Sequence, residues 1–278
     1  MRVTESEFRL FEKAIYDFFG ILIPKEQRPD LSLAISTRLS ALKLTRIQDY
    51  LDLIAGTVPD QEEWFTFIDL LSNQSTGFFH DAGQFEFLVQ NAIPELIRTV
   101  GAGVRRPLIL WSAGCGSGEE AYTLAIVLSE FSRHYPGFRF SFNILGTDIS
   151  RSSLTHGEEA VYDLARIDPV PLPIKKLYFL KSRDKQRKQV RLTPEIRRTV
   201  RFRLLNFMDG NYRLREKMDI VFCRNVIGYF DDTSRTQMLQ SLAENMVSGG
   251  YLFLGSKETI THPPETLQRL SSSLFRRQ

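Results

Sequence analysis

Trp111-Ser112-Ala113-Gly114-Cys115-Gly116-Ser117-Gly118-Glu119-Glu120 is the stretch of this 278-residue chain that decides its fold. It extends a continuous apolar run, residues 108–111, that is typical of a strand buried on both faces. A helix is predicted directly after it, over 121–131. Glycine at three alternate positions permits positive φ angles and lets a ligand approach the backbone closely. The stretch therefore predicts a strand, a ligand-binding turn and a helix.

The residues that end this turn limit the ligand it can hold. A phosphate-binding P-loop ends in Gly-Lys-Ser/Thr, whereas this loop continues into Glu119 and Glu120. Two carboxylates at a helix N-terminus suit the helix dipole but repel phosphate. A zwitterionic ligand with an ammonium and a sulfonium, S-adenosylmethionine (SAM), fits better than a dinucleotide or a nucleotide phosphate. The alternative is a tight connection between strand and helix that binds nothing.

An acidic residue, Asp148, follows the second predicted strand, residues 138–147. A carboxylate at the tip of this strand can accept hydrogen bonds from both ribose hydroxyls of an adenosine, as in dinucleotide-binding folds. It can also cap the next helix, predicted over 151–162. Both roles can hold together.

Strands and helices alternate along the rest of the chain. Strands are predicted at 200–205, 219–223 and 251–254, with a long helix at 233–247. This alternation indicates an α/β fold with a doubly wound, mostly parallel sheet, which binds ligands at the carboxyl ends of its strands. Asn206 and Asn225 each follow an apolar strand, where an amide can read an adenine edge or hold loop backbone.

The first 80 residues show helical spacing and no strand pattern. Thr4 and Glu7 have the spacing of a capping box. We expect a small all-helical N-terminal domain over residues 1–80. Its helices are predicted over 8–19, 31–44, 47–54 and 63–71, and a bridging helix follows over 85–100.

A basic insertion, residues 163–199, interrupts the alternation. Pro169, Pro171 and Pro173 are expected to break any helix there, and short strands are predicted at 177–180 and 189–192, so we expect a small β subdomain. Residues 175–203 carry 12 Lys+Arg against two acidic residues. Such a charge indicates an acidic or polyanionic partner, or else a solvated, charge-rich excursion.

Composition excludes several classes of protein. The chain is 42% hydrophobic and 25% charged, as globular proteins are. No apolar run approaches the ~18 residues of a membrane span, and the N-terminus lacks the apolar segment of a secretion signal. Cys115 and Cys223 are too few for a disulfide framework or a thiolate metal cluster. We expect a cytoplasmic protein in a reducing compartment, without a metal and without membrane insertion.

Five segments occur in an order that is specific in combination. They are SNQSTGFFH at 72–80, WSAGCGSGEEAYTLAI at 111–126, GTDIS at 146–150, LLNF at 204–207 and CRNVIGYFD at 223–231. With them the chain resembles, over nearly its whole length, the CheR-type chemoreceptor glutamate methyltransferases.

The resemblance implies a class I SAM-dependent methyltransferase fold over 81–278, and a role for residues 1–80 in recognising the cytoplasmic helical bundle of a chemoreceptor. It implies transfer of a methyl group from SAM to glutamate side chains, with S-adenosylhomocysteine as product. Tyr229, with His80, is placed near the methyl transfer. The residues that the resemblance assigns to the cofactor are Gln74, Thr76, His80, Gly114, Glu119, Asp148, Asn206, Phe207, Asn225 and Val226.

Three positions depart from the family pattern. Gln74 stands where the family has Asn, His80 stands where it has Arg, and residues 255–258 read Gly-Ser-Lys-Glu instead of Gly-His-Ser-Glu. The family Arg is assigned to cofactor and substrate-carboxylate contact, and a neutral imidazole supplies fewer donors and no constant charge. Substrate binding then uses another cation, activity is weaker, or the substrate differs.

The implied reaction needs little acid–base chemistry. A solvent-exposed glutamate side chain has a pKa of ~4.3, so its carboxylate attacks the sulfonium methyl without a general base, and catalysis is mostly alignment. We expect Tyr229 to position the substrate carboxylate or methyl group and His80 to border the same pocket. Phe78, Phe79 and Phe230 are expected to wall it, or to serve as core aromatics.

Two other functions fit parts of the sequence. His80 and Lys257 favour a SAM-binding regulatory or scaffold module with weak or no activity. The basic insertion favours a nucleic-acid methyltransferase, although no Asn-Pro-Pro-Tyr-like motif or Pro-Cys context is found, so no nucleic-acid partner is expected. Capture of a C-terminal pentapeptide tether of the receptor is also not expected, because the loop at 181–188 lacks the glycine of family members that bind one.

Overall fold

The computed structural model describes residues 3–56, 60–71, 77–137, 139–184 and 186–278. The N-terminal region is helical, and the predicted capping box is confirmed: Thr4 and Glu7 bond reciprocally at the start of the first helix. Phe11, Trp64 and Phe67 pack at its centre. Its helices, all predicted, are α1 Glu5–Phe19, α2 Arg28–Leu42, α3 Ile47–Ala55 and α4 Gln61–Leu71.

The bridging helix is interrupted where a continuous helix was predicted. It consists of α5 Ala82–Phe87, a π-helical turn Leu88–Ala92 and α6 Ile93–Val100. Pro94 explains the interruption, because it has no N–H and its ring crowds the preceding turn. The backbone N–H of Ile93 accordingly donates to the carbonyl of Leu88, five residues back.

The α/β region follows. Its helices are α7 Glu119–His134, α8 Arg151–Glu159, α9 Leu172–Tyr178, α10 Pro194–Arg197 and α11 Asp232–Glu244. Its strands are β1 Leu108–Ala113, β2 Phe142–Asp148, β3 Val161–Asp163, β4 Phe179–Lys181, β5 Gln189–Leu192, β6 Val200–Leu204, β7 Met218–Cys223, β8 Met246–Leu254, β9 Leu267–Arg269 and β10 Leu274–Arg277.

Seven strands form one sheet in the order β6-β2-β1-β7-β8-β10-β9. Every pair from β6 to β8 is parallel, whereas β10 runs antiparallel to both of its neighbours. The predicted doubly wound, mostly parallel α/β fold is confirmed. The hairpin of β9 and β10 was not predicted, because strands of three and four residues are too short to show a hydrophobic period.

The sheet is buried on both faces, as the apolar run of β1 predicted. Leu108 and Leu110 pack into the core on one face, and Ile109 and Trp111 pack into the core on the other. Strand order reverses beside β1, since β2 lies on one side of it and β7 on the other. Such a switch point opens a crevice at the carboxyl ends of these strands.

Several predicted boundaries are wrong. The helix predicted over 233–247 ends at Glu244, and the strand predicted at 251–254 begins at Met246, so residues 246 and 247 belong to β8. The second strand begins at Phe142 instead of 138. The helix predicted to 162 ends at Glu159, because Ala160 takes a left-handed conformation with φ +52° and its N–H closes the last turn on His156. The residues that follow form β3.

The insertion forms a three-stranded antiparallel sheet in the order β3-β5-β4. The strand predicted at 189–192 is confirmed, and the one predicted at 177–180 lies at Phe179–Lys181. The expectation that the prolines exclude a helix is wrong. The helix α9 starts after Pro171 and carries Pro173 in its first turn, where the missing N–H removes no helical hydrogen bond.

Candidate active site

A cavity of about 460 Å³ lies at the carboxyl ends of the sheet strands, beneath the N-terminal helices. Its floor comprises Gly114, Gly116, Glu120, Asp148, Asn206, Phe207 and residues 224–226. Its roof comprises Phe19, Ile21, Ile23, Ile68, Leu71 and His80. Eight residues predicted for the site line it: His80, Gly114, Asp148, Asn206, Phe207, Asn225, Val226 and Tyr229. Gln74 and Thr76 lie outside the described residues.

The glycine turn has the backbone that its sequence predicts. Gly114, Gly116 and Gly118 all have positive φ, at +79°, +53° and +93°. A Cβ on Gly114 would lie 2.4 Å from Cγ2 of Val226, so only glycine lets these two loops approach. The turn therefore presents bare backbone to the cavity at the N-terminus of α7.

The Asp148 carboxylate is held by backbone and lines the cavity. Its Oδ2 accepts from Gly116 N at 2.8 Å, and its Oδ1 accepts from Ser150 N at 3.0 Å. Desolvation raises the pKa of Asp148, and these N–H donors oppose part of that rise. The cap of α8 is Ser150, whose hydroxyl accepts from Ser153 N, so Asp148 is not needed for capping. Each oxygen has a second lone pair for a ligand hydroxyl.

The two glutamates after the glycine turn lie in different surroundings. Glu119 is not among the residues lining the cavity, because its fully buried carboxylate accepts from Ser117 Oγ at 2.7 Å and from Arg166 Nη1 at 2.5 Å. Glu120 lines the cavity instead and accepts from Ser112 Oγ at 2.7 Å. The contact of Glu119 with the cofactor, which the resemblance implies, stays a prediction.

A buried arginine joins the floor to the roof, and sequence reasoning did not single it out. Arg224 Nε donates to Glu120 Oε2 at 2.5 Å, and its Nη1 donates to the His80 carbonyl at 2.8 Å. The side chains of Arg224 and Glu120 are 5% and 6% exposed. Its position inside the CRNVIGYFD segment, which contributes to the family resemblance, was the sequence feature that could have indicated that Arg224 belongs to the site.

The two asparagines of the floor differ: the Asn206 amide holds backbone, whereas the Asn225 backbone is itself held by a carboxylate. Asn206 Nδ2 donates to the Phe18 carbonyl at 2.8 Å and its Oδ1 accepts from Met208 N at 3.1 Å, so the amide ties α1 to the floor. Asn225 is exposed and takes φ +60°. Glu258 supports that conformation by accepting from the N–H groups of Asn225, Ile227 and Gly255. Residues 255–258, which differ from the family pattern, therefore still include a carboxylate, Glu258, that holds the backbone of the site.

Tyr229 and His80, the two residues expected near the reaction, both line the cavity. The His80 side chain is 64% exposed, and its Nδ1 lies 3.6 Å from Asp81 Oδ2. Of the aromatic walls expected, Phe230 lines the cavity, whereas Phe78 is a core residue. Its ring packs edge-on against Tyr162 and Phe179 at 5.0 and 5.4 Å.

Other groups are structural. Cys115 and Cys223 are buried, and desolvation raises the pKa of both thiols well above its usual range.

The described residues contain no group of three or more His, Cys, Asp or Glu side chains that could hold a metal ion. Across the described ranges, no helix combines the length and apolarity needed to cross a membrane.

The sheet order, the glycine turn and the acidic tip of β2 define a class I SAM-dependent methyltransferase. A family model described as "CheR methyltransferase, SAM binding domain" matches residues 74–275. The chain belongs to the CheR methyltransferase family, and its cofactor is SAM.

The relatives that match over nearly the full chain include three chemotaxis protein methyltransferases. The chemotaxis protein methyltransferase of Borreliella burgdorferi is 32% identical, over 94% of this chain and 90% of the relative. Chemotaxis protein methyltransferase 2 of Pseudomonas aeruginosa is 27% identical, over 98% and 93%. The chemotaxis protein methyltransferase of Vibrio parahaemolyticus is 31% identical, over 93% and 91%.

Proposed function

We propose that this methyltransferase esterifies glutamate side chains of chemoreceptors in the cytoplasm. The relatives named as chemotaxis protein methyltransferases support the substrate class. The observation that carries the proposal is the single cavity that brings together the glycine turn, Asp148 and Tyr229. The proposal includes the division into a receptor-recognition domain over 1–80 and a methyltransferase domain over 81–278.

The floor suits SAM, and the proposal assigns its parts. Gly114 and Val226 leave room for close approach to backbone, and Asp148 offers carboxylate acceptors for the two ribose hydroxyls. When bound, SAM supplies an electrophilic methyl group on a sulfonium. Glu120 also lines the cavity, with its charge paired to Arg224. The contact of Glu119 with the cofactor, which the resemblance implies, stays part of the proposal.

The residues of the cavity contribute to the reaction mainly by aligning the substrate carboxylate with the methyl group. A glutamate substrate is already ionised near neutral pH, so the residues of the cavity need not remove a proton. We assign Tyr229 to orient the incoming carboxylate and His80 to border its path. The apolar side chains of Phe19, Ile21 and Ile68 line the roof of the cavity. With a substrate bound beneath them they would exclude water, which would strengthen the charge interactions inside the cavity.

The partner proposed is the cytoplasmic helical bundle of a chemoreceptor. Seven residues of the segment from α1 to α4 line the cavity, so a bundle reaching the site also meets the helices that cover it. They are Phe19, Ile21, Ile23, Gln27, Asp30, Ile68 and Leu71. Tether capture remains an unfavoured alternative for this chain, since the loop at 181–188 has no glycine.

The test is methylation of candidate receptor cytoplasmic fragments with methyl-labelled SAM. Label on glutamate that is released by mild base is the expected result, and Tyr229→Phe should lower the rate. Tyr135→Phe is the matched control, since Tyr135 is half exposed and is not among the cavity residues. SAM binding without any ester would favour the regulatory module, and base-stable label on RNA or DNA would favour the nucleic-acid enzyme.

A further inference from the structure

Tyr16, in the last turn of α1, reaches the segment that carries Tyr229. Its hydroxyl donates to Asp231 Oδ2 at 2.6 Å, across 215 positions of sequence. The other oxygen of Asp231 accepts from Ser234 N at 2.8 Å and caps α11. The Tyr16 hydrogen bond is the main cause of the lowered pKa of Asp231. Asp231 is thus fixed from two sides, two positions after Tyr229.

The chain after Tyr16 makes further contacts with the same segment. Leu22 N donates to the Tyr229 carbonyl at 2.8 Å, and Ile21 forms an antiparallel bridge with Phe230. Gly20 allows this turn because its backbone has φ +69°, a conformation that favours glycine. A Cβ atom at this position would lie 2.7 Å from Sδ of Met208. We call residues 16–22 the α1 strap.

From this geometry we propose that Tyr16 is a positioning residue for methyl transfer. Through Asp231 it fixes the backbone of 229–231, and with it the ring of Tyr229 in the cavity. The inference rests on the proposed function, because it assigns to Tyr16 the placement of the residue that orients the substrate. A tyrosine that only ties α1 to the α/β region would affect stability and leave the reaction unchanged.

The two roles differ in which rate constant they change. Without the Tyr16 hydroxyl, residues 229–231 keep the Leu22 bond, and Asp231 keeps its bond from Ser234 N, but the side-chain tie from α1 to Asp231 is lost. Misplacement of a positioning group by ~1 Å can cost ~100-fold in rate, and the remaining bonds limit the shift, so we expect kcat to fall about tenfold. The affinity for SAM should stay within about twofold, because Gly114 and Asp148 do not contact the strap in the hydrogen bonds described, and Tyr16→Phe leaves the bond from Asn206 to the Phe18 carbonyl in place.

The test compares Tyr16→Phe with Tyr50→Phe in methylation of a receptor fragment. Tyr50 is a matched control, because its hydroxyl also donates to a carboxylate, Glu63 Oε1 at 2.7 Å, but inside the helical region. Asp231→Ser is the second variant, since serine can still cap α11 but cannot reach Tyr16. Tyr16→Phe and Asp231→Ser should each lower kcat about tenfold and together no further, whereas Tyr50→Phe should lower stability only.

Two readouts separate positioning from structural support. In a Tyr229→Phe background, Tyr16→Phe should cost less than about twofold, because residues of one network are not additive. With 3-fluorotyrosine incorporated, the Tyr229 resonance, identified by its loss in Tyr229→Phe, should shift or broaden in Tyr16→Phe and not in Tyr50→Phe. Equal kcat losses in Tyr16→Phe and in the control Tyr50→Phe, an undiminished loss in the Tyr229→Phe background, or an unmoved resonance would overturn the inference. A wild type without glutamate esterification would refute the proposed function alone, and the resonance would still decide the role of Tyr16.

Discussion

The floor and the roof of the cavity are built in different ways. The floor consists of residues that directly follow sheet strands, and its central contact, Gly116 to Asp148, joins the ends of two adjacent strands. The roof is held by pairs far apart in sequence, such as Asn206 with Phe18 and Arg224 with His80. In the proposed function the floor holds the cofactor and the roof shapes the approach of the substrate. From this difference we predict that substitutions in the floor change the affinity for the cofactor, whereas substitutions in the roof change the rate of methyl transfer or the binding of the substrate.

The largest effect is expected where the two parts meet. Arg224→Met leaves Glu120 buried without its partner, so the free energy of unfolding should fall by about 3–5 kcal/mol. Urea denaturation measures this. The double variant Arg224→Met/Glu120→Gln should recover much of the loss, since no buried charge then remains unpaired.

The matched control is Arg198→Met, which removes an exposed pair with Glu195. Pairs of this kind contribute ~0–1 kcal/mol. A loss in Arg224→Met as small as that of the control would contradict the view that the floor and roof are joined by this pair.

Asp148→Asn tests the floor alone. The amide keeps the shape of the side chain but loses charge and one acceptor oxygen, and hydrogen bonds to charged groups contribute ~1.5–3 kcal/mol. We expect SAM affinity, measured by calorimetry, to fall about 100-fold. Asp184→Asn, an exposed change in the insertion, should leave affinity unchanged. A fall below about threefold in Asp148→Asn would remove Asp148 from the cofactor site.

The pH dependence sharpens this test. Because desolvation raises the pKa of Asp148, the carboxyl takes up its proton at higher pH than an ordinary aspartate does. Its acceptor capacity is therefore present at neutral pH and is lost as the pH falls through the raised value. SAM affinity of the wild type should decline as the pH falls below neutral, and that of Asp148→Asn should stay flat over the range where circular dichroism shows folded protein.

Gly114→Ala tests the closeness of the two floor loops. The new methyl group would meet Val226 at 2.4 Å on a backbone with φ +79°, and overpacking of this kind costs about 1–3 kcal/mol. Thermal unfolding and SAM calorimetry should both show the loss. Gly137→Ala is the control, because nothing lies within 4 Å of a Cβ there. Equal melting temperatures for the two variants would show that the floor loops can separate freely.

Sequence patterns predicted the floor better than the roof, for physical reasons. The glycine turn and Asp148 follow apolar strands, so sheet topology alone brings them together. Which of Glu119 and Glu120 faces the cavity depends on the rotation of α7, since successive residues of a helix point ~100° apart. That rotation is coupled to Arg166, 47 positions away.

The contacts of the roof have no local signature. The bond between Tyr16 and Asp231 joins residues 215 positions apart, and neither residue stands out in its own segment. The resemblance to a family supplied Tyr229 and His80 without the contacts that hold them. The end of α8 was mispredicted for a similar reason. The left-handed conformation of Ala160 ends the helix, but it does not change the spacing of apolar residues from which the helix was predicted.

The smallest effect is expected at the roof position that departs from the family pattern. His80→Arg places a permanent charge and five donors beside the cavity, where an incoming carboxylate passes in the proposed reaction. Because His80 is 64% exposed, solvent screens the gain, and exposed charge pairs contribute ~0.2–1 kcal/mol. We expect the KM for a receptor fragment to fall about two- to fivefold at neutral pH, with the difference shrinking at high salt. His134→Arg adds the same charge at the far end of α7 and should leave KM unchanged. An equal fall in both variants would show that overall charge, and not the roof, draws the substrate in.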